Sequence, residues 1–114
     1  MDSLTGILNR EGLDEKLGTL LASEGAVKGS HCLVMLDIDH FKRVNDTYGH
    51  VMGDRVLQAL GEVLRTSVAT GHWAAGFGGE EFAVLQPDSS IEDAMRMATT
   101  LRQRAKAFVV RDRR

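Results

Sequence analysis

Apolar positions recur along the chain at two spacings, and the switches between them mark out its elements. Leu13, Leu17, Leu20 and Leu21 fall at helical spacing after a polar lead-in over residues 2–10, in which Asn9 is the candidate N-cap. That helix is expected to break around residues 25–29, between Gly25 and Gly29. Residues 31–38 are dense in Val, Leu, Met and Ile and short enough for a buried strand, which ends in Asp37-Ile38-Asp39. Residues 41–48 predict a short helix interrupted near Gly49 and Gly53, and Val56, Leu57, Leu60, Val63 and Leu64 then form an amphipathic stripe.

Residues 73–77 and 81–85 predict two strands around Gly78-Gly79, a glycine pair suited to the positive φ values of a two-residue hairpin turn. Pro87 and Asp88 stop the second strand, and Ser89 with Glu92 has the spacing of a capping box. Ile91, Ala94, Met95, Ala98, Leu101, Ala105 and Phe108 give the last helix its apolar face. The order helix, strand, helices, hairpin, helix implies an α+β layout, with helices packed on a mostly antiparallel sheet. Nothing marks an internal boundary, so residues 1–114 form a single domain.

Composition narrows the function classes. With 43% hydrophobic and 26% charged residues the chain is an ordinary globular sequence, not a disordered one. A net charge of −2 supplies no broad field to gather nucleic acid or an anionic membrane surface. Arg102, Arg104, Lys106, Arg111, Arg113 and Arg114 are interspersed with apolar positions and predict a solvated helix face and tail. The single cysteine, Cys32, lies in an apolar run and suits core packing in a reducing compartment. No run approaches the roughly 20 apolar residues of a membrane span, and the first residues lack the regions of a signal peptide. A cytoplasmic location, with no membrane or nucleic-acid partner, is the expectation.

Three segments could carry chemistry. Asp37 and Asp39 project to the same side of a strand end, and carboxylates with a backbone carbonyl are the hard oxygen donors that Mg²⁺ takes while also holding phosphates; by itself such an end is more often a solvated loop. Gly78-Gly79-Glu80-Glu81-Phe82 offers backbone N–H groups that phosphate can approach, with Glu80 placed to meet a metal held by Asp37; alone, it is more often a tight hairpin with two solvated acids. Asp54 could accept from guanine N1–H and N2–H₂, and Asn45 could complete that edge, whereas the plainer reading makes Asn45-Asp46 a turn and Asp54 a helix cap. The scattered histidines, His40 and His50 among them, suit packing or the surface, and Trp73 suits a strand core.

Taken together the segments are more specific. Asp2-Ser3-Leu4-Thr5-Gly6-Ile7-Leu8-Asn9-Arg10 resembles the D-x-L-T-G-L-x-N-R opening of GGDEF domains. Residues 36–42, Asn45-Asp46-Thr47-Tyr48-Gly49-His50 and Gly53-Asp54 resemble the family's nucleotide segment, and Gly78-Gly79-Glu80-Glu81-Phe82 resembles its signature in the variant with Glu at the third position. The resemblance implies a nucleotidyl-cyclase, ferredoxin-like (palm-type) fold and a diguanylate cyclase, which condenses two GTP into cyclic di-GMP. It assigns Asp37, the Ile38 carbonyl and Glu80 to Mg²⁺ (or Mn²⁺), and Asn45 and Asp54 to guanine. His40, Phe41 and Lys42 fall where the family lines the phosphates, Gly78 and Gly79 where the α-phosphate comes close, and Glu81 is the second signature acid. Because two GTP must face each other, the resemblance also implies a homodimer, in a regulator that carries a sensor domain.

Departures from the family pattern frame the alternatives. Gly76 stands where the family commonly has Arg, and Ala69 and His72 occupy the positions of its R-x-x-D product-inhibition site. The family continues past residue 114 with a central strand and a helix bearing triphosphate-binding Lys and Arg, so the chain resembles a core lacking that segment. The strand at 31–38 is then expected to have an open edge. The competing reading is a catalytically inactive GGDEF-derived module that binds GTP or a partner protein; another is a piece of a longer regulator.

Overall fold

A computed structural model describes residues 7–22, 31–38, 41–78 and 80–112. The elements are α1 (Arg10–Ala22), β1 (Cys32–Asp37), α2 (Phe41–Ser67), β2 (Trp73–Gly78), β3 (Glu81–Gln86) and α3 (Ile91–Asp112). The strands form one sheet in the order β1-β3-β2, antiparallel throughout. The polar lead-in contributes more than expected. Leu8 forms a parallel bridge to Ala75 on the outer side of β2, donating its N–H to the Ala74 carbonyl (3.2 Å) and accepting from Gly76 N–H (2.7 Å).

Every side chain of the central strand from Phe82 to Gln86 is buried, and their alternation builds a core on each face of the sheet. Phe82 and Val84 pack with Val34, Ala74, Leu60, Leu64 and Leu101, which puts α2 and α3 on one face. Ala83 and Leu85 pack with Ala75 and Leu13, which puts α1 on the other. Leu13, Leu64, Leu85 and Leu101 are almost wholly buried, each contributing about 1.5–3 kcal/mol relative to exposure. β1 lies at the sheet's edge, and Leu33 and Met35, opposite Leu85 and Ala83 on the α1 side, stay 42% and 47% exposed. Among the described residues its outer edge pairs with no strand.

Several local expectations shift. The helix break falls at Gly49 alone, whose φ of 89° and ψ of 168° belong to a region that side-chain-bearing residues avoid. Gly53 stays within the helix and is buried. Gly78 ends β2 and pairs with Glu81, so it belongs to the strand and not to the turn, and the register slips between Gly76 and Gly78. The capping box sits one residue later than predicted: Asp93 N–H donates to Ser90 Oγ (3.1 Å) and Ser90 N–H to Asp93 Oδ2 (3.0 Å). The reason is that Asp88 adopts a left-handed φ of 51° and Ser89 turns inward, its Oγ bonding the Pro87 carbonyl, so Ser90 is left at the helix start.

The buried stripe of α3 keeps most of its expected positions but takes in Met97 in place of Met95. Ala94, Met97, Ala98, Leu101 and Ala105 face the core, while Ile91 and Met95 are exposed; the side chain of Phe108 lies outside the described residues. Leu21 is likewise exposed, at the end of α1. Trp73 is no core residue. It sits at the start of β2 with Lys16 Nζ 4.0 Å above its ring centre, a cation–π contact. Arg104 does not simply face solvent, because it donates to the Val63 carbonyl, Ser67 Oγ and Thr66 Oγ1 and so closes the last turn of α2. Asn9 does cap α1, its Oδ1 accepting from Gly12 N–H at 2.8 Å.

Candidate functional site

The acidic strand end and the hairpin tip meet because β1 and β3 are neighbours. Asp37 lies directly opposite Glu81 in the register, and one residue on, Ile38 N–H donates to the Glu80 carbonyl at 3.3 Å. Phe41 N–H donates to the Ile38 carbonyl at 3.3 Å, which ties the start of α2 to the same point and leaves that oxygen a second lone pair. Asp37 and Glu81 are exposed and Glu80 is half-buried. Like charges directly across a sheet repel, and a cation between them relieves the repulsion. Among the described residues no three His, Cys, Asp or Glu side chains are grouped to hold a metal. What the strand end provides is carboxylates and a carbonyl, the hard-oxygen set that Mg²⁺ completes with water and phosphate oxygens. The residues present fit such an ion.

Gly78 is exposed, and a side chain there would meet only Glu81 Oε1, at 3.9 Å. The backbone at the turn can therefore be approached from solvent. Asp39, His40 and Gly79 lie outside the described residues.

A second constellation forms where α2 bends. With Gly49 absorbing the turn, the helix returns so that Gly53 lies against Phe41 and Asn45, one helical turn apart. A Cβ at Gly53 would stand 1.8 Å from Asn45 Oδ1 and 3.4 Å from the Phe41 ring. Phe41 is buried, and Asn45 Oδ1 is buried with no hydrogen-bond partner among the described residues. Leaving a buried amide oxygen unpaired costs about 1–3 kcal/mol. Asp54 follows Gly53, exposed and inside the helix instead of at its end, which removes its reading as a cap. Lys42 pairs loosely with Asp46 (3.5 Å) and is 87% exposed, so its ammonium can turn to an anion.

At the remaining positions, Gly76 is half-buried in β2 with its N–H committed to Leu8. His72 N–H donates to the Ala69 carbonyl (3.0 Å) in the loop before β2, and His72 Nδ1 is buried with no partner among the described residues. His50 is exposed, as expected. Two features escaped the pattern of the sequence. One is the dependence of Asn45 on Gly53, signalled only by a glycine in an otherwise helical stretch. The other is the stacking of Arg10 on Phe77 (4.0 Å to the ring centre), which joins residues far apart in the chain.

A three-stranded antiparallel sheet with helices on both faces, and acids at the tip of its hairpin, defines a palm-type α+β domain. Residues 1–111 match the family described as diguanylate cyclase, GGDEF domain, and the chain belongs to the GGDEF family. It is 40% identical over 113 residues to diguanylate cyclase VdcA of Vibrio cholerae, covering 99% of this chain and 32% of that protein. It is 44% identical over 101 residues to diguanylate cyclase DgcP of Pseudomonas aeruginosa, covering 89% of this chain and 15% of that protein. Among solved structures, diguanylate cyclase SiaD of Pseudomonas aeruginosa, in complex with its activator SiaC, superposes with a TM-score of 0.86 at 37% identity, over 90% of this chain and 40% of that one. The GGDEF domain of DgcB from Caulobacter crescentus, in complex with c-di-GMP, gives 0.79 at 39% identity, over 91% and 59%. The chain thus spans well under half of these curated relatives. Among the described residues no helix is long and apolar enough to cross a membrane.

Proposed function

We propose that the chain is the core of a diguanylate cyclase, which binds one GTP and, facing a second copy, joins two GTP into cyclic di-GMP. The observation that carries this reading is the placement of Asn45, whose buried oxygen has no partner among the described residues, one turn into the helix whose first residue bonds the Ile38 carbonyl at the acidic junction of Asp37, Ile38 and Glu80. Asn45 and Asp54 hold the guanine edge, Asp54 accepting from the N1–H and N2–H₂ donors that adenine lacks. Phe41, Lys42 and His40 line the path of the phosphates, and the Gly78-Gly79 backbone lets the α-phosphate come close.

Asp37, the Ile38 carbonyl and Glu80 would hold Mg²⁺ or Mn²⁺, which when bound lowers the pKa of the attacking hydroxyl and stabilises charge on pyrophosphate. In each half-reaction the 3′-oxygen of one GTP forms a bond to the α-phosphorus of the other, and the bond from that phosphorus to pyrophosphate breaks. Glu81 adds negative charge beside the reacting groups, opposite Asp37. Because each domain presents one nucleotide, an antiparallel homodimer is required.

A catalytically inactive module that binds GTP or a protein partner is the second reading, and Gly76, in place of the family's common Arg, favours it. Incubation with GTP and Mg²⁺, followed by chromatography for cyclic di-GMP, decides between them. Cyclic product that disappears with chelator supports the cyclase, whereas GTP binding without product supports the inactive module. Asp54→Ala is expected to weaken GTP far more than ATP, and an equal loss for both would remove Asp54 from guanine recognition.

A further inference from the structure

We propose that Arg10 is a positioning residue for the signature hairpin, holding the bulge from which Glu80 and Glu81 are presented. For its catalytic consequence this rests on the cyclase reading above.

The bulge needs an outside support. Between Gly76 and Gly78 the register of β2 against β3 slips by one, and Phe77 sits at the slip with a glycine on either side. Neither glycine has a side chain to lock the backbone, and glycine gives up more conformational freedom than any other residue on ordering. Phe77 packs at the margin of the Leu13, Ala75, Ala83 and Leu85 cluster, and the N-terminal segment adds further contacts. The Arg10 guanidinium lies 4.0 Å from the centre of the Phe77 ring, and its Nη1 donates to the Phe77 carbonyl at 3.5 Å. Two residues earlier, the Leu8 carbonyl takes Gly76 N–H at 2.7 Å. Backbone and side chain of one short segment therefore grip both residues where the register changes.

The position of Arg10 is itself fixed. Asn9 caps α1 through Gly12 N–H, which sets Arg10 at the first helical position, and Asp14 pairs with its Nε at 3.4 Å. A cation there opposes the positive end of the helix dipole, so it serves α1 poorly. The contact with Phe77 gives that placement its reason. Since Asp37 faces Glu81 and Ile38 bonds Glu80, a shift of the bulge moves the acids relative to the strand end. Movement of the residues before α1 would reach the acids by the same route.

The test compares wild type, Arg10→Ala, Arg10→Lys and Phe77→Leu as full chains, by amide hydrogen exchange and by kinetics with GTP. Arg10→Ala is expected to speed exchange across residues 76–82 about fivefold or more while residues 91–105 stay unchanged, since opening there is local. It should lower kcat about tenfold with KM for GTP within about twofold, the pattern of lost positioning. Arg10→Lys, which keeps the cation but not the fork, should recover part of both effects, and Phe77→Leu should reproduce Arg10→Ala. If Arg10→Ala does not fold, Arg10→Lys and Phe77→Leu carry the same two readouts. Unchanged exchange in residues 76–82, or faster exchange with unchanged kcat, would overturn the proposal. Faster exchange in an enzyme whose wild type makes no product would sustain the clamp and refute the cyclase reading instead.

Discussion

Replacing Gly53 by alanine should separate folding from nucleotide recognition. The added Cβ would fall 1.8 Å from Asn45 Oδ1, far inside contact distance, so one of the two must move. Gly53 has no left-handed φ, and the added Cβ would also lie 2.9 Å from Asn45 Cγ and 3.4 Å from the Phe41 ring. The Asn45 amide is the end of a two-torsion side chain, so it is the part that yields. Forcing it off its rotamer costs about 0.5–1.5 kcal/mol. Alanine is favoured over glycine inside a helix by about 0.8–1 kcal/mol, so the two effects nearly cancel. The net change in stability should stay within about 1 kcal/mol, a shift in Tm of no more than about 8 °C.

Binding should respond quite differently. An amide swung away from its buried position no longer meets guanine, at a loss of about 1–3 kcal/mol, or about 5- to 150-fold in affinity. Thermal melts followed by circular dichroism, together with calorimetric titration of GTP, read the two quantities separately. A melt lowered by far more than about 8 °C would mean that the close approach of Gly53 serves the core. An unchanged GTP affinity would mean that Asn45 does not contact the base.

Gly49→Ala should destabilise by about 1–3 kcal/mol, since its backbone lies in a region nearly reserved for glycine; a chemical denaturation curve with an unmoved midpoint would contradict this. Asp93 has its pKa held below the ordinary 3.8 by the hydrogen bond from Ser90 N–H, then by the Ser90 hydroxyl, with smaller help from Arg96. Its contribution is therefore full above that value and fades as pH falls through the depressed one, so the Tm gap between wild type and Asp93→Asn should close in acid and be constant near neutrality. Neither Ala69 nor His72 carries a guanidinium to fork a phosphate, so calorimetry should find no submicromolar cyclic di-GMP binding that depends on His72.

Much of this molecule was written in one dimension. Periodicity alone located α1, β1, the hairpin and α3, because burial on one face imposes a spacing that sequence displays directly. Asn9 as a cap was equally plain, since capping is satisfied within one turn. Adjacent motifs such as Asp37-Ile38-Asp39 and Gly78-Gly79-Glu80-Glu81 pointed to the acidic site through their joint resemblance to the GGDEF pattern, and not singly. Tertiary structure decided what depends on partners distant in sequence. Pairing with β3 set Asp37 opposite Glu81 and drew Gly78 out of the turn and into β2. The left-handed Asp88 delayed the start of α3 by one residue, and packing against the sheet left Ile91 and Met95 outside the helix's buried stripe. The bend at Gly49 brought Gly53 onto Asn45, and the parallel bridge of Leu8 brought Arg10 onto Phe77. Local spacing carries no record of such encounters, because they are fixed by how faces pack and not by which residues are neighbours in the chain.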